Sequence, residues 1–193
     1  WKIPEDARTP GATKGKDYLA SMGIYIFDAP VLEAVLDNEL TDFGKEIIPQ
    51  AIKDYTVNSY IYDGYWEDIG TIRSFYESTL DLTSISPKFN FYDEEKPVYT
   101  HIRNLPPSKM NKAEMNRATA CEGCVITDAK ITDSVIGIRS TIESGSILEG
   151  VICMGADYYE TESQKIENRR LNTPNVGIGR NCRIKRTIID KNA

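Results

Sequence analysis

Between Ile126 and Ile189, aliphatic residues return at intervals that suit neither a helix nor a flat strand. Ile126, Ile131, Ile136, Ile142 and Leu148 are separated by five, five, six and six positions, and Ile178, Ile184 and Ile189 by six and five. An amphipathic helix repeats at three and four, and a half-buried strand at two. A repeat of five to six, with Gly123, Gly137, Gly145, Gly177 and Gly179 at the expected corners, is the hexapeptide rhythm of a parallel β-helix. Each coil of such a fold stacks its inward aliphatics on those of the next, so the core is one-dimensional and needs several coils to persist. A polar excursion over 153–175 interrupts the rhythm and reads as a loop leaving one coil. After Ile189 the rhythm stops, which predicts an unpaired edge on the last coil.

The preceding sequence has α/β character. Residues 1–17 are polar and rich in Lys, Gly and Pro, and read as a loop. Leu19 to Phe27 is mostly apolar and suits a buried strand. Asp28 then stands as a helix N-cap with Pro30 in the first turn, and Val31, Leu32, Val35 and Leu36 share a face. A second helix is expected after Thr41 or Asp42, carrying Ile47, Ile48, Ala51 and Ile52, with Pro49 bending or interrupting it. The β-branched and aromatic content of Val57 to Tyr62 predicts another strand. Thr71 caps a helix that runs to about Leu82 and places Ile72, Phe75, Tyr76, Thr79 and Leu80 near one side. Four prolines, Pro87, Pro97, Pro106 and Pro107, mark 85–118 as a linker. The expected organisation is therefore an α/β portion over 1–84, the linker, and an incomplete β-helix over 119–193.

Charge narrows the function classes. Lys plus Arg number 23 against 29 Asp plus Glu, a net charge of −6. A mildly acidic chain has no global attraction for nucleic acid or an anionic membrane, so any phosphate binding must be local. No apolar run approaches the ~20 residues that span a bilayer, and no charged-then-apolar leader argues for secretion. Cys121 and Cys124 form a single C-x-x-C, with Cys153 and Cys182 elsewhere and His101 the only histidine. A zinc site needs about four N or S ligands, so these cysteines read as small, buried, reduced thiols.

The chemistry-bearing segment is Asp63-Gly64-Tyr65-Trp66-Glu67-Asp68-Ile69-Gly70, which follows an expected strand and precedes the Thr71 cap. It presents a carboxylate just beyond a strand end and beside a helix N-terminus, where ligands of open α/β sheets gather and a divalent cation can be held. Capping is the alternative role for Asp68, and Trp66 either stacks under a sugar or fills the core. Asp42 serves equally well as an N-cap. Gly23 either admits a ligand close to the backbone or forms a bulge. Glu67 is expected to be a solvated neighbour of Asp68.

Together with Ala20-Ser21-Met22-Gly23-Ile24-Tyr25, Thr41-Asp42-Phe43-Gly44-Lys45-Glu46-Ile47-Ile48-Pro49, Leu105-Pro106-Pro107-Ser108-Lys109 and Met154-Gly155-Ala156-Asp157-Tyr158-Tyr159-Glu160-Thr161, this segment resembles the glucose-1-phosphate adenylyltransferases. The resemblance runs from about Tyr18 to the last residue. It implies the C-terminal part of a Rossmann-like nucleotidyltransferase domain followed by a left-handed parallel β-helix. It further implies adenylyl transfer from ATP to glucose 1-phosphate, giving ADP-glucose and pyrophosphate for glycogen or starch synthesis.

By that resemblance Asp68 is the catalytic and Mg2+-binding carboxylate, and Ser21, Gly23, Tyr25, Asp42, Phe43 and Trp66 line the glucose 1-phosphate pocket. His101, Arg103 and Lys191 stand where an anionic allosteric effector binds. The resemblance also implies homo- or hetero-tetramers, in the cytoplasm or, in a plant, the plastid. Trp1 in place of Met, and an end in mid-pattern, read as cuts through a longer protein. The family's Gly-rich triphosphate loop, second metal carboxylate and phosphate-gripping lysine are not found, so the chain is expected to be inactive alone. The alternatives are a non-catalytic regulatory or assembly subunit and a nucleotidyltransferase for another sugar. A free-standing β-helix acyltransferase is disfavoured, because the repeats contain no histidine.

Overall fold

The computed structural model describes residues 20–193. The loop expected over 1–17 and the start of the first expected strand lie outside the described residues. The chain divides into two compact units, Trp1–Gly64 and Tyr65–Ala193.

In the first unit, Asp28 precedes α1 (Ala29–Leu36) with extended backbone and Pro30 in the first turn, although its side chain caps no amide. The second helix does not begin as a regular one. Phe43–Ile47 forms a π-helical turn that leads into α2 (Ile48–Asp54). The amides of Glu46 and Ile47 both reach the Asp42 carbonyl, at 3.0 and 3.1 Å. Pro49 has no N–H, and its ring would press on the carbonyl four residues back in a regular helix; a widened turn before it meets both demands. Val35, Ile47 and Ala51 form a small core, with Phe27, Val31, Leu32, Leu40 and Phe43 packed against it. Leu36 and Ile52, expected on the buried faces, are exposed.

Neither expected strand of this unit forms: residues 20–27 and 57–62 carry no ladder. A strand exists by hydrogen bonding to a neighbour, and no described segment of the unit supplies one. Ile24, Ile26 and Tyr60 are accordingly exposed. Apolar and β-branched content forecasts extended backbone but not its partner.

The second unit opens with α3 (Ile72–Asp81), N-capped by Thr71 in a reciprocal capping box with Ser74. Ile72, expected on the packed side, is exposed, and no α3 side chain is fully buried. Seven parallel strands follow: β1 (Lys109–Asn111), β2 (Glu114–Ala120), β3 (Val125–Thr127), β4 (Lys130–Ile136), β5 (Thr141–Ile142), β6 (Ile147–Cys153) and β7 (Arg183–Ile189). They stack in the orders β1-β3-β5 and β2-β4-β6-β7. The first coil thus starts at Lys109, inside the stretch expected to be linker; the local prolines hid it, because they stand just before the strand rather than within it.

Register aligns the inward residues in three columns. Met110, Ile126, Ile142 and Ile178 form one, Met115, Ile131, Leu148 and Ile184 the second, and Ala120, Ile136, Cys153 and Ile189 the third. Ile126, Ile131, Ile136, Ile142 and Leu148 are essentially inaccessible to solvent. The aliphatic rhythm of the sequence is this stack read along the chain.

The corners are a different matter. Each coil turns through residues with positive φ: Lys112, Asp128, Gly145 and Asn181 align at one corner and Arg117, Asp133, Gly150 and Arg186 at a second, while Gly123, Arg139, Gly155 and Asn192 turn the third. The second column lies inside β2, β4, β6 and β7, so each seven-residue strand bends there and serves two faces. Most corner residues are not glycine, and Gly137 and Gly179 do not adopt positive φ. The excursion after β6 is not wholly loop. It contains α4 (Glu162–Leu171), capped by Thr161 and Gln164 in a second capping box and closed by Asn172 in the left-handed region.

Candidate functional site

Five of the sugar-phosphate candidates meet in the first unit. The Ser21 hydroxyl lies 2.9 Å from Tyr25 Oη and accepts the Gly23 amide at 3.1 Å. Gly23 takes φ of +73° with nothing near the position of a Cβ. Its glycine therefore suits the turn, and with no strand there is no bulge. Tyr25 stacks on Phe43, ring centroids 5.6 Å apart, and Phe27 meets Phe43 edge-on at 6.0 Å.

Asp42 does act as an N-cap: its Oδ1 accepts the Lys45 amide at 2.8 Å. Glu46 reaches back to the amides of Thr41 and Asp42, both at 3.0 Å. Those two amide hydrogen bonds hold the Glu46 carboxyl below its usual range. Thr41-Asp42 is thereby tied to the π-helical turn from both sides. Gly44, not singled out from the sequence as a site residue, lies between the Asp42 carboxylate and Tyr25 Oη: a Cβ there would stand 3.5 and 3.9 Å from them. The product is a small polar rim, Ser21, Tyr25 and Asp42, over an aromatic floor.

Trp66 and Asp68 belong to the second unit. Both are exposed, so Trp66 is no core filler. Asp68 does not cap α3, because Thr71 does. Its Oδ1 accepts the Gly70 amide at 3.0 Å, an Asx turn that sets the carboxylate three residues ahead of the Thr71 cap. Glu67 is exposed, as expected. Among the described residues no group of three or more His, Cys, Asp or Glu side chains gathers as a metal cage. A lone hard carboxylate with an oxygen left over is still compatible with Mg2+, which commonly takes one or two carboxylates and fills its shell with water and phosphate oxygens.

The effector candidates also fall in the second unit. His101 and Arg103 are exposed, and Arg103 Nη1 donates to the His101 carbonyl at 3.2 Å. Lys191 is engaged: its Nζ pairs with Asp157 Oδ1 at 2.7 Å, and Asn192 donates to Asp157 Oδ2 at 3.1 Å. These two hydrogen bonds draw the Asp157 carboxyl below its usual range. Arg139 donates to the Ala156 carbonyl and lies over the Tyr159 ring, whose hydroxyl donates to Gly123 O at 2.8 Å. One corner of the coil thus carries Arg139, Asp157 and Lys191 together.

All four cysteines are free; Cys124 and Cys153 are buried, but Cys121 is exposed, contrary to expectation. Partial desolvation of the sulfur, with the Glu122 charge beside it, pushes the otherwise exposed Cys121 thiol up, and burial does so at Cys124, which suits neither a nucleophile nor a metal ligand. Two clefts, one bordered by Val35, Asn38 and Ala51 and the other by Lys112, Asp128 and Gly145, include none of the candidate residues.

Residues 4–85 match the nucleotidyl transferase family, and residues 103–193 match the GLGC left-handed parallel β-helix domain. Together the two matches support a glucose-1-phosphate adenylyltransferase-like protein. The coil of β1 to β7 is the left-handed β-helix, and α1 to α3 fall within the nucleotidyltransferase match. The combination is that of a sugar nucleotidyltransferase. Among the described residues no helix is long and apolar enough to cross a membrane.

Proposed function

We propose that the protein carrying this chain transfers an adenylyl group from ATP to α-D-glucose 1-phosphate, forming ADP-glucose and pyrophosphate. One observation carries the substrate reading: Ser21, Gly23, Tyr25, Asp42 and Phe43, dispersed over 23 positions, fold into one hydrogen-bonded and stacked cluster. A sugar phosphate needs a polar rim for its hydroxyls and a flat apolar surface for its ring, and this cluster offers both. In the second unit, Trp66 presents an exposed aromatic face two residues before Asp68.

In the reaction a phosphate oxygen of the sugar phosphate attacks the α-phosphorus of ATP in line. The bond to the β-phosphate oxygen breaks, and pyrophosphate leaves with the electron pair. No covalent enzyme intermediate is needed, so catalysis is positioning and neutralisation of developing charge. Bound Mg2+ would supply much of that neutralisation, with Asp68 as its protein ligand. Tyr25 and Ser21 would orient sugar hydroxyls, and the Asp42 turn would close the pocket's far side. The resemblance also calls for a Gly-rich triphosphate loop and a phosphate-gripping lysine, which no motif of this sequence matches.

The regulatory part of the reading places an anionic effector on His101, Arg103 and Lys191, in a tetramer. Arg103 and Lys191 are the cations that an anionic effector would meet.

Asp68→Asn in the full-length enzyme tests the reading. The expected result is a fall in turnover of about a hundredfold or more with the fold intact; unchanged turnover would dismiss Asp68. Tyr25→Phe, assayed alongside, is expected to raise the KM for glucose 1-phosphate while leaving that for ATP in place.

A further inference from the structure

We propose that Tyr76 is a positioning residue for the Asp68 carboxylate, acting through α3 from a seat on the β-helix. The proposal rests on the reading above that Asp68 faces the reacting phosphates.

Tyr76 Oη donates to the Gly150 carbonyl at 2.7 Å, a contact between residues 74 positions apart. Gly150 is the one residue of its corner column without a side chain; Arg117, Asp133 and Arg186 occupy the equivalent places with the same positive φ. Left-handed backbone therefore does not demand glycine at this corner. Space does: a Cβ on Gly150 would stand 2.8 Å from Tyr76 Oη. The missing side chain leaves a notch in an otherwise filled column, and the tyrosine hydroxyl fills it.

From that seat, hydrogen bonds alternating with peptide linkages lead back to Asp68. Within α3 the Phe75 amide reaches the Thr71 carbonyl at 2.9 Å. The Ser74 amide donates to Thr71 Oγ1 at 3.0 Å, and the Thr71 amide to Ser74 Oγ at 3.2 Å. Gly70 N–H then holds Asp68 Oδ1 at 3.0 Å. Because no α3 side chain is fully buried, packing alone orients the helix weakly. A directional bond to the backbone of β6, by contrast, restrains both rotation and height. A misplacement of about 1 Å at a reacting group is enough to slow a positioned reaction severely.

Amide hydrogen exchange on this chain tests the idea without nucleotide or metal. Tyr76→Phe removes only the hydroxyl, and exchange over residues 66–75 is expected to become about tenfold faster while β4 and β6 keep their protection. Gly150→Asn keeps Tyr76 but fills its seat with a residue that tolerates left-handed backbone, and is expected to loosen the same segment. In a Trp1→Phe background, the fluorescence anisotropy of Trp66 should fall in both variants. Unchanged exchange over 66–75 in Tyr76→Phe would overturn the proposal. So would acceleration spread equally through β4 and β6, the mark of a merely structural tyrosine. Loss of turnover in Asp68→Asn is a separate measurement, so a wrong role for Asp68 and a wrong role for Tyr76 give different results.

Discussion

At the scale of single residues, capping rather than burial organises the candidate site. Thr71 and Ser74 satisfy each other's amides at the start of α3, and Thr71→Ala is expected to lower stability by about 1 kcal/mol, read as a shift of the denaturant midpoint. Glu46 does comparable work for the π-helical turn, with its carboxylate held by two amides. A carboxyl whose folded-state pKa is depressed stabilises above the ordinary carboxylate range and loses that contribution as pH falls through it. The difference in thermal midpoint between wild type and Glu46→Gln should therefore be present at neutral pH and shrink on acidification.

These caps were partly legible. Thr71 and Asp42 could be read from the polar residue ahead of each helix, whereas the choice between Asp68 as cap and Asp68 as free carboxylate needed coordinates. The partners of Lys191 and the seating of Tyr76 were not legible at all, since both join residues far apart in the chain.

Among the elements, periodicity carried most of the information and pairing the least. The five-to-six rhythm located the inward columns because side chains of equal burial must recur once per strand of each coil. Replacing one fully buried member, as in Ile131→Ala, should cost about 2–5 kcal/mol in equilibrium unfolding. The extended segments at 20–27 and 57–62 show the converse, for no local pattern announces a missing neighbour. The helix in the excursion was written as Thr161-Glu162-Ser163-Gln164, a capping-box signature. It went unread because the surrounding residues are polar on every side and α4 buries none of them. Corner residues were invisible for a similar reason. Arg117, Asp133 and Arg139 look like ordinary surface charges, yet they turn the chain.

For the whole molecule, the spacing of equivalent residues sets what insertions the coil accepts. From Ile126 to Ile142 is 16 positions and from Ile131 to Leu148 is 17, but from Leu148 to Ile184 is 36. The surplus is the excursion bearing α4, which leaves and rejoins the coil without disturbing register, because Cys153 still pairs with Ile189. Thiol chemistry should report the integrity of the stack. Cys124 and Cys153 sit within it, so both are expected to react with an alkylating reagent only as the protein unfolds, while Cys121 reacts slowly in the native state. Labelling of Cys124 at the native rate of Cys121 would contradict the packing.

The parallel ladder also has a mechanical consequence. Each coil is bonded only to the ones above and below it, so tension applied along the axis can strip them one after another instead of rupturing the assembly at once. An ordinary coil of 16 to 17 residues would release about 55 Å of contour. The coil bearing α4 would give roughly twice that length, a signature by which its place in the pulling record could be told.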